Sequence, residues 1–128
     1  MSEYLQSDSS PLKIDLSYLE DIAGGSNEFI IEMIDMFLEQ TPAYCIEIKQ
    51  GIQDKDWKKV SDLAHKIKPT LAFMGSHAAK ETMATIEMDA RNLVNLDSIG
   101  DTFDRLHVVC LQLFIDLKIA RGNFPLAN

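Results

Sequence analysis

The chain has 128 residues, 46% of them hydrophobic, with two cysteines and a formal net charge of -8. That length and content suit one domain with one real core. The acidic balance excludes a protein built to neutralise phosphate backbones, so no nucleic-acid partner is expected; no apolar run approaches the roughly 18 residues of a membrane span, so no membrane segment is expected either.

Apolar residues recur with a period near 3.6 almost throughout, broken at Gly, Pro, Asn and Asp, and no segment alternates as a strand would. Residues 1–14, rich in serine and holding Pro11, read as a polar lead-in with neither the basic nor the apolar region of a secretory leader. A short helix is predicted around Leu16 to Ile22, stopped by Gly24 and Gly25. Ser26 is placed to cap a second helix, which carries Phe29, Ile30, Met33, Ile34, Phe37 and Leu38 on one side and continues through Tyr44, Ile48 and Ile52. Pro42 should kink or split it. A third helix starts near Asp54 or Asp56 and buries Trp57, Val60, Ala64, Ile67, Leu71 and Met74 in steps of three and four, ending at Gly75. Ser76 caps a fourth with Ala79, Met83, Ile86, Ala90 and Leu93. A fifth runs from about Asp97 through Phe103, Leu106, Cys110, Leu113 and Leu117 to Arg121, with Gly122 and Pro125 marking its end.

Long helices joined by short loops favour antiparallel neighbours, so the expected fold is all-α: an up-down-up-down antiparallel four-helix bundle with a short additional N-terminal helix. The bundle spans residues 15–122, with a tail over 123–128. A closed bundle leaves no second seam obliged to pair, so a monomer is expected. Cys45 and Cys110 lack CxxC spacing and sit among apolar helical residues, which reads as reduced thiols in a cytoplasmic protein.

The chemistry concentrates in the stretch AHKIKPTLAFMG, residues 64–75. If Ala64 and Ile67 face the core, His65 is turned about 100° away and stands at the edge of the seam, where its ring meets water. Lys68, Pro69 and Ala72 share that face, giving one long cation and otherwise small side chains, so another protein can approach the ring closely. A neutral imidazole is a competent nucleophile near pH 7 for a phosphoryl group, whose negative charge Lys68 can balance. The plainer reading is a surface histidine on a helix.

The run Ala64, His65, Ile67, Lys68 and Gly75 resembles the histidine-containing phosphotransfer (HPt) domain, whose signature is Ala-His-x-Leu-Lys-Gly with a further glycine ten positions after the histidine. The resemblance continues into IEMDAR, which supplies Ile86, Glu87 and Arg91, and covers about residues 15 to 121. It implies that His65 is the phosphoacceptor, that Lys68 stabilises the phosphoryl oxygens, and that Glu87 orients the imidazole. It also implies a carrier between receiver-domain aspartates in a multistep two-component phosphorelay. The implied partners are response-regulator receiver domains and a hybrid sensor histidine kinase, with Mg²⁺ held by the receiver and no cofactor bound by this chain. Pro69 departs from the family's glycine after the lysine. It frees the His65 carbonyl from its helical bond and should bend the third helix just beyond the histidine. Leu71 stands where the family has a small residue.

The stretch HKIKPTL is also similar to the phosphoacceptor helix of sensor histidine kinases, but Lys66 replaces that family's glutamate and the proline comes four residues after the histidine. No ATP-binding boxes and no GxxxxGK[ST] loop follow, so neither an ATP site nor autokinase activity is expected. A helical adaptor that binds receiver or kinase domains without being phosphorylated is the alternative. A bundle enzyme using His65 as general base would need a converging acid, and none is evident. His77 and His107 form no ligand set, so no metal site is expected. Met33, Met36, Met74, Met83 and Met88 read as core filler, and the acidic pairs Glu87 with Asp89 and Asp54 with Asp56 as solvated faces and helix starts. Lys58, Lys59 and Lys66 could steer an acidic receiver surface or form a solvated face. Partner contact should be apolar at its centre, drawn from the second and third helices and including Met36.

Overall fold

The computed structural model describes residues 15–124. The lead-in read over residues 1–14 and the stop signal at Pro125 lie outside them. Five helices follow one another: α1 Ser17–Ala23, α2 Asn27–Gln53, α3 Trp57–Phe73, α4 His77–Asn92 and α5 Leu96–Gly122, with no strand among the described residues. No described helix is long and apolar enough to cross a membrane.

The predicted punctuation is physical. Ser26 Oγ accepts from the Phe29 N–H at the start of α2, and Asp56 Oδ1 accepts from the Lys59 N–H at the start of α3, each satisfying one of the donors a helix leaves open. Ser76 occupies the cap position of α4 but makes no side-chain bond to the helix. α1 ends on Gly24 in the left-handed conformation, with φ of 59°. Pro42 and Pro69 both lie inside unbroken helices, so α2 is a single 27-residue helix rather than two. One missing N–H removes one bond from a long ladder, and the packing on either side holds the helical course.

Helices α2 to α5 close a ring in which each packs on its two neighbours, and α1 leans on α2. Two ion pairs fix α2 antiparallel to α5: Asp35 with Arg121 at one end and Lys49 with Asp104 at the other. The Arg121 guanidinium holds the Asp35 carboxyl below its ordinary range. Every inward residue named for α3 except Trp57 is buried, as are Ala79, Met83, Ile86 and Ala90 of α4. Each large aliphatic side chain enclosed this way contributes about 1.5–3 kcal/mol relative to exposure. Cys45 on α2 and Cys110 on α5 are buried free thiols. A hydrogen bond to Cys110, then burial, push the Cys45 thiol well above its ordinary pKa.

Three core expectations are corrected. Met36 and Met88 are 51% and 48% exposed and fill no core. Leu93, expected inside α4, is instead its left-handed cap with φ of 57° and lies exposed. Its Cβ crowds the backbone there as glycine would not. Leu93→Gly is therefore expected to stabilise the fold by roughly 0.5–1 kcal/mol, read as a Tm rise of about 2–4 °C in a thermal melt.

The entry to α1 is tied to the turn between α3 and α4. Gly75 has φ of 82°, and a Cβ built on it would lie 2.2 Å from the backbone oxygen of Asp15. The Tyr18 ring packs on Phe73 at 5.2 Å, and Leu16 and Leu19 enter the core beside them. The glycine ten residues after His65 is thus where one backbone crosses directly over another.

Candidate functional site

His65 projects from the middle of α3, one position after the fully buried Ala64 and two before Ile67, which is 1% exposed. Its side chain is 67% exposed. Across the interface with α4, its Nδ1 lies 2.8 Å from Glu87 Oε2. A carboxylate only accepts, so Nδ1 carries the proton, and in the neutral ring the lone pair stands on Nε2.

Glu87 is the centre of the site. It is 2% exposed, although its sequence beside Asp89 reads as part of a solvated face. It follows Met83 by four residues and precedes Ala90 by three, so helical geometry turns it inward with the α4 seam. A buried carboxylate needs partners, and it has three: Lys68 Nζ donates to Oε1 at 2.7 Å, while His65 Nδ1 and Arg91 Nη2 donate to Oε2. Burial raises the Glu87 pKa, but the bonds from Lys68 and then His65 outweigh it, so the carboxyl ionises below its ordinary value of 4.5.

That depression sets a pH dependence. A carboxyl whose folded pKa is lowered contributes stability above its unfolded value and loses it as pH falls through the folded one. The wild-type bundle is therefore expected to lose stability below about pH 4.5 more steeply than Glu87→Gln, as urea midpoints at stepped pH will show. At neutral pH the substitution should cost about 1–2 kcal/mol, because the half-exposed Arg91 and the exposed His65 can turn to water.

The structure thus brings His65, Lys68, Glu87 and Arg91 into one cluster. Ala64 and Ile67 anchor α3 in the core behind it, Pro69 lies exposed one turn beyond the histidine, and Gly75 belongs to the crossing over Asp15 rather than to the cluster. The link from Arg91 to Glu87 was not read from the sequence, though their spacing of four on one helix signals it. Next to the cluster, between α2 and α3, a cavity of about 200 Å³ is lined by Met33, Met36, Tyr44, Ile67 and Phe73, with Lys66 Nζ 5.0 Å from the centre of the Tyr44 ring. Among the described residues no group of three or more His, Cys, Asp or Glu is placed to hold a metal ion.

The family model of the Hpt domain matches residues 32–115, roughly two thirds of the chain and all of α3 and α4. The chain belongs to the Hpt domain family. Searches of curated proteins and of solved structures gave no significant match. Hpt domains are helical phosphocarrier modules of two-component signalling that interact with receiver domains and kinases, and this one shares that phosphotransfer role. The matched span holds the whole charged cluster around His65, together with the apolar cavity beside it.

Proposed function

We propose that this Hpt domain carries a phosphoryl group on Nε2 of His65 between receiver-domain aspartates in a cytoplasmic multistep phosphorelay. The observation that carries the reading is the held imidazole: its Nδ1–H is bound to a buried carboxylate, while its other nitrogen stands on an exposed helix face.

A receiver docks over the α2–α3 edge, with Met36 and the rim of the apolar cavity at the centre of contact. The Nε2 lone pair attacks the phosphorus of the phosphoaspartate. The bond from phosphorus to the aspartate oxygen breaks and the aspartate departs as a carboxylate. The ring becomes an N-phosphoimidazolium that retains its Nδ1 proton, and Glu87 balances its positive charge. Lys68 has three N–H bonds and uses one on Glu87, leaving two for phosphoryl oxygens. The receiver supplies Mg²⁺ and most of the electrostatic stabilisation such transfers require. The reverse reaction delivers the group to a second receiver, so the chain is a covalent carrier rather than an enzyme with its own substrate.

The test is incubation with a phosphorylated receiver domain and Mg²⁺, followed by intact mass of both proteins. The expected result is a gain of one phosphoryl group by this chain at the receiver's expense, labile in acid and discharged by a second, unphosphorylated receiver. No gain from several receivers, with the helical fold shown intact by circular dichroism, would instead support an adaptor that binds such domains without carrying phosphate.

A further inference from the structure

The chain holds two cysteines, and the fold brings them together. Cys45 on α2 and Cys110 on α5 are free thiols, both fully buried. Cys45 precedes Lys49 by one helical turn and Cys110 precedes Arg121 by three, so each lies at the edge of its core face that turns to the other helix. The ion pairs also set their level. Four residues back from Lys49 along α2 corresponds to about five residues on from Asp104 along α5, within one residue of Cys110. The contact is direct: the Cys45 thiol donates a hydrogen bond to the Cys110 sulfur.

Phosphoryl transfer at His65 makes no use of this pair. A disulfide asks that the two Cβ vectors converge. A thiol that already donates to the other sulfur meets that condition, and an ion pair on either side holds α2 and α5 at this level. The hydrogen bond also divides the roles. It favours the ionised form of Cys110 and the protonated form of Cys45, and the thiolate is the form that attacks an oxidant. Buried thiols meet few reagents, but hydrogen peroxide is little larger than water and enters as the contact between α2 and α5 opens locally.

We infer that Cys45 and Cys110 form a redox-sensitive staple, which a peroxide closes into a disulfide between α2 and α5 and a dithiol reopens. The Cys110 thiolate attacks one peroxide oxygen, the O–O bond breaks, and the departing hydroxide takes up the proton that Cys110 released, leaving a sulfenic acid and one water. The Cys45 sulfur then attacks the sulfenic sulfur. The S–O bond breaks, the Cys45 proton leaves with the oxygen as a second water, and the disulfide remains. Each cysteine gives up one electron and one proton, and the peroxide is reduced to two waters. In a reducing compartment the pair rests as thiols, so the link is a response rather than a permanent brace. Closing it joins Cys45 to Cys110 in one covalent ring that contains all of α3 and α4, and with them the His65 cluster. Cys45 also follows Tyr44, which lines the cavity beside that cluster, so the staple braces one wall of it. Oxidation of the pair does not depend on the function proposed for His65.

Treatment of the whole folded chain with millimolar hydrogen peroxide tests it, with thiols counted by alkylation after quenching and unfolding. Met36 and Met88, both exposed, are the internal gauge that peroxide has acted. The expected result is loss of both thiols together, recovery of a peptide joining Cys45 to Cys110, a single-chain band on a non-reducing gel, and return of both thiols with dithiothreitol. The linked chain should melt roughly 5–15 °C above the same sample after dithiothreitol, which leaves methionine sulfoxides in place, because the closed ring is long. Cys45→Ala, given the same treatment, should show no such difference. Both thiols still free once Met36 and Met88 are sulfoxides would overturn the proposal. So would conversion of either cysteine chiefly to a sulfinic acid, cross-links chiefly between chains, or a linked chain that melts no higher than the reduced one.

Discussion

His65→Gln is expected to abolish phosphoryl uptake while leaving the bundle as stable as the wild type. The side chain is 67% exposed, and Glu87 keeps Lys68 and Arg91 when the ring is gone. Surface changes of this kind fall within about 0.5 kcal/mol. A glutamine amide can still donate to Glu87, but it has no nucleophilic lone pair to offer phosphorus. The remaining histidines have no such setting. His107 stacks on Phe103 with ring centres 5.4 Å apart, and His77 stands at the exposed start of α4. Intact mass after exposure to a charged receiver should show no phosphorylated species, and the thermal melt should overlay that of the wild type. Undiminished labelling of His65→Gln would move the chemistry elsewhere in the chain.

Gly75→Ala should have the largest effect on stability. Two costs combine at this position. A φ of 82° is strained for any residue with a Cβ, and that Cβ would sit 2.2 Å from the Asp15 carbonyl oxygen and 2.8 Å from its carbonyl carbon. Backbone cannot swing aside as a side chain can, so the segment leading into α1 must lift, loosening Leu16 and Leu19 in the core. The expected loss is about 2–4 kcal/mol, a Tm drop of roughly 10 °C. Gly24→Ala is the control: φ is 59° there too, but nothing lies within 4 Å of the added carbon. It should lose only about 1 kcal/mol. Equal losses at the two sites would show that the crossing over Asp15 carries no weight.

Much of this was legible in the residues. Ser26, Gly24 and Asp56 announced helix ends through local hydrogen-bonding chemistry, which acts within three or four residues and so survives in sequence. The α3 seam was equally plain, because Val60, Ala64, Ile67, Leu71 and Met74 keep one phase and all are buried. His65 stood out by being one step out of that phase. Depth was harder to read where polarity and burial disagree. Glu87 looks solvated by its side-chain type, and only the three N–H donors supplied by α3 and its own next turn make its burial tolerable. Met36 and Met88 look apolar but face outward, on faces set by tertiary packing. α5 misled in the opposite sense: one apolar face was read, while Val108, Leu111, Ile115 and Ile119 leave a second one exposed. Gly75 was recognised by its spacing from the histidine, while its reason, a backbone from the far end of the domain lying over it, is non-local.

The most direct test of the site is nitrogen NMR of the phosphorylated chain, with long-range correlations assigning both ring nitrogens of His65. The expected spectrum places phosphorus on Nε2 and a retained proton on Nδ1, with the Nδ1 resonance shifted in Glu87→Gln. Phosphorus on Nδ1, or on the ring of His77 or His107, would contradict the account.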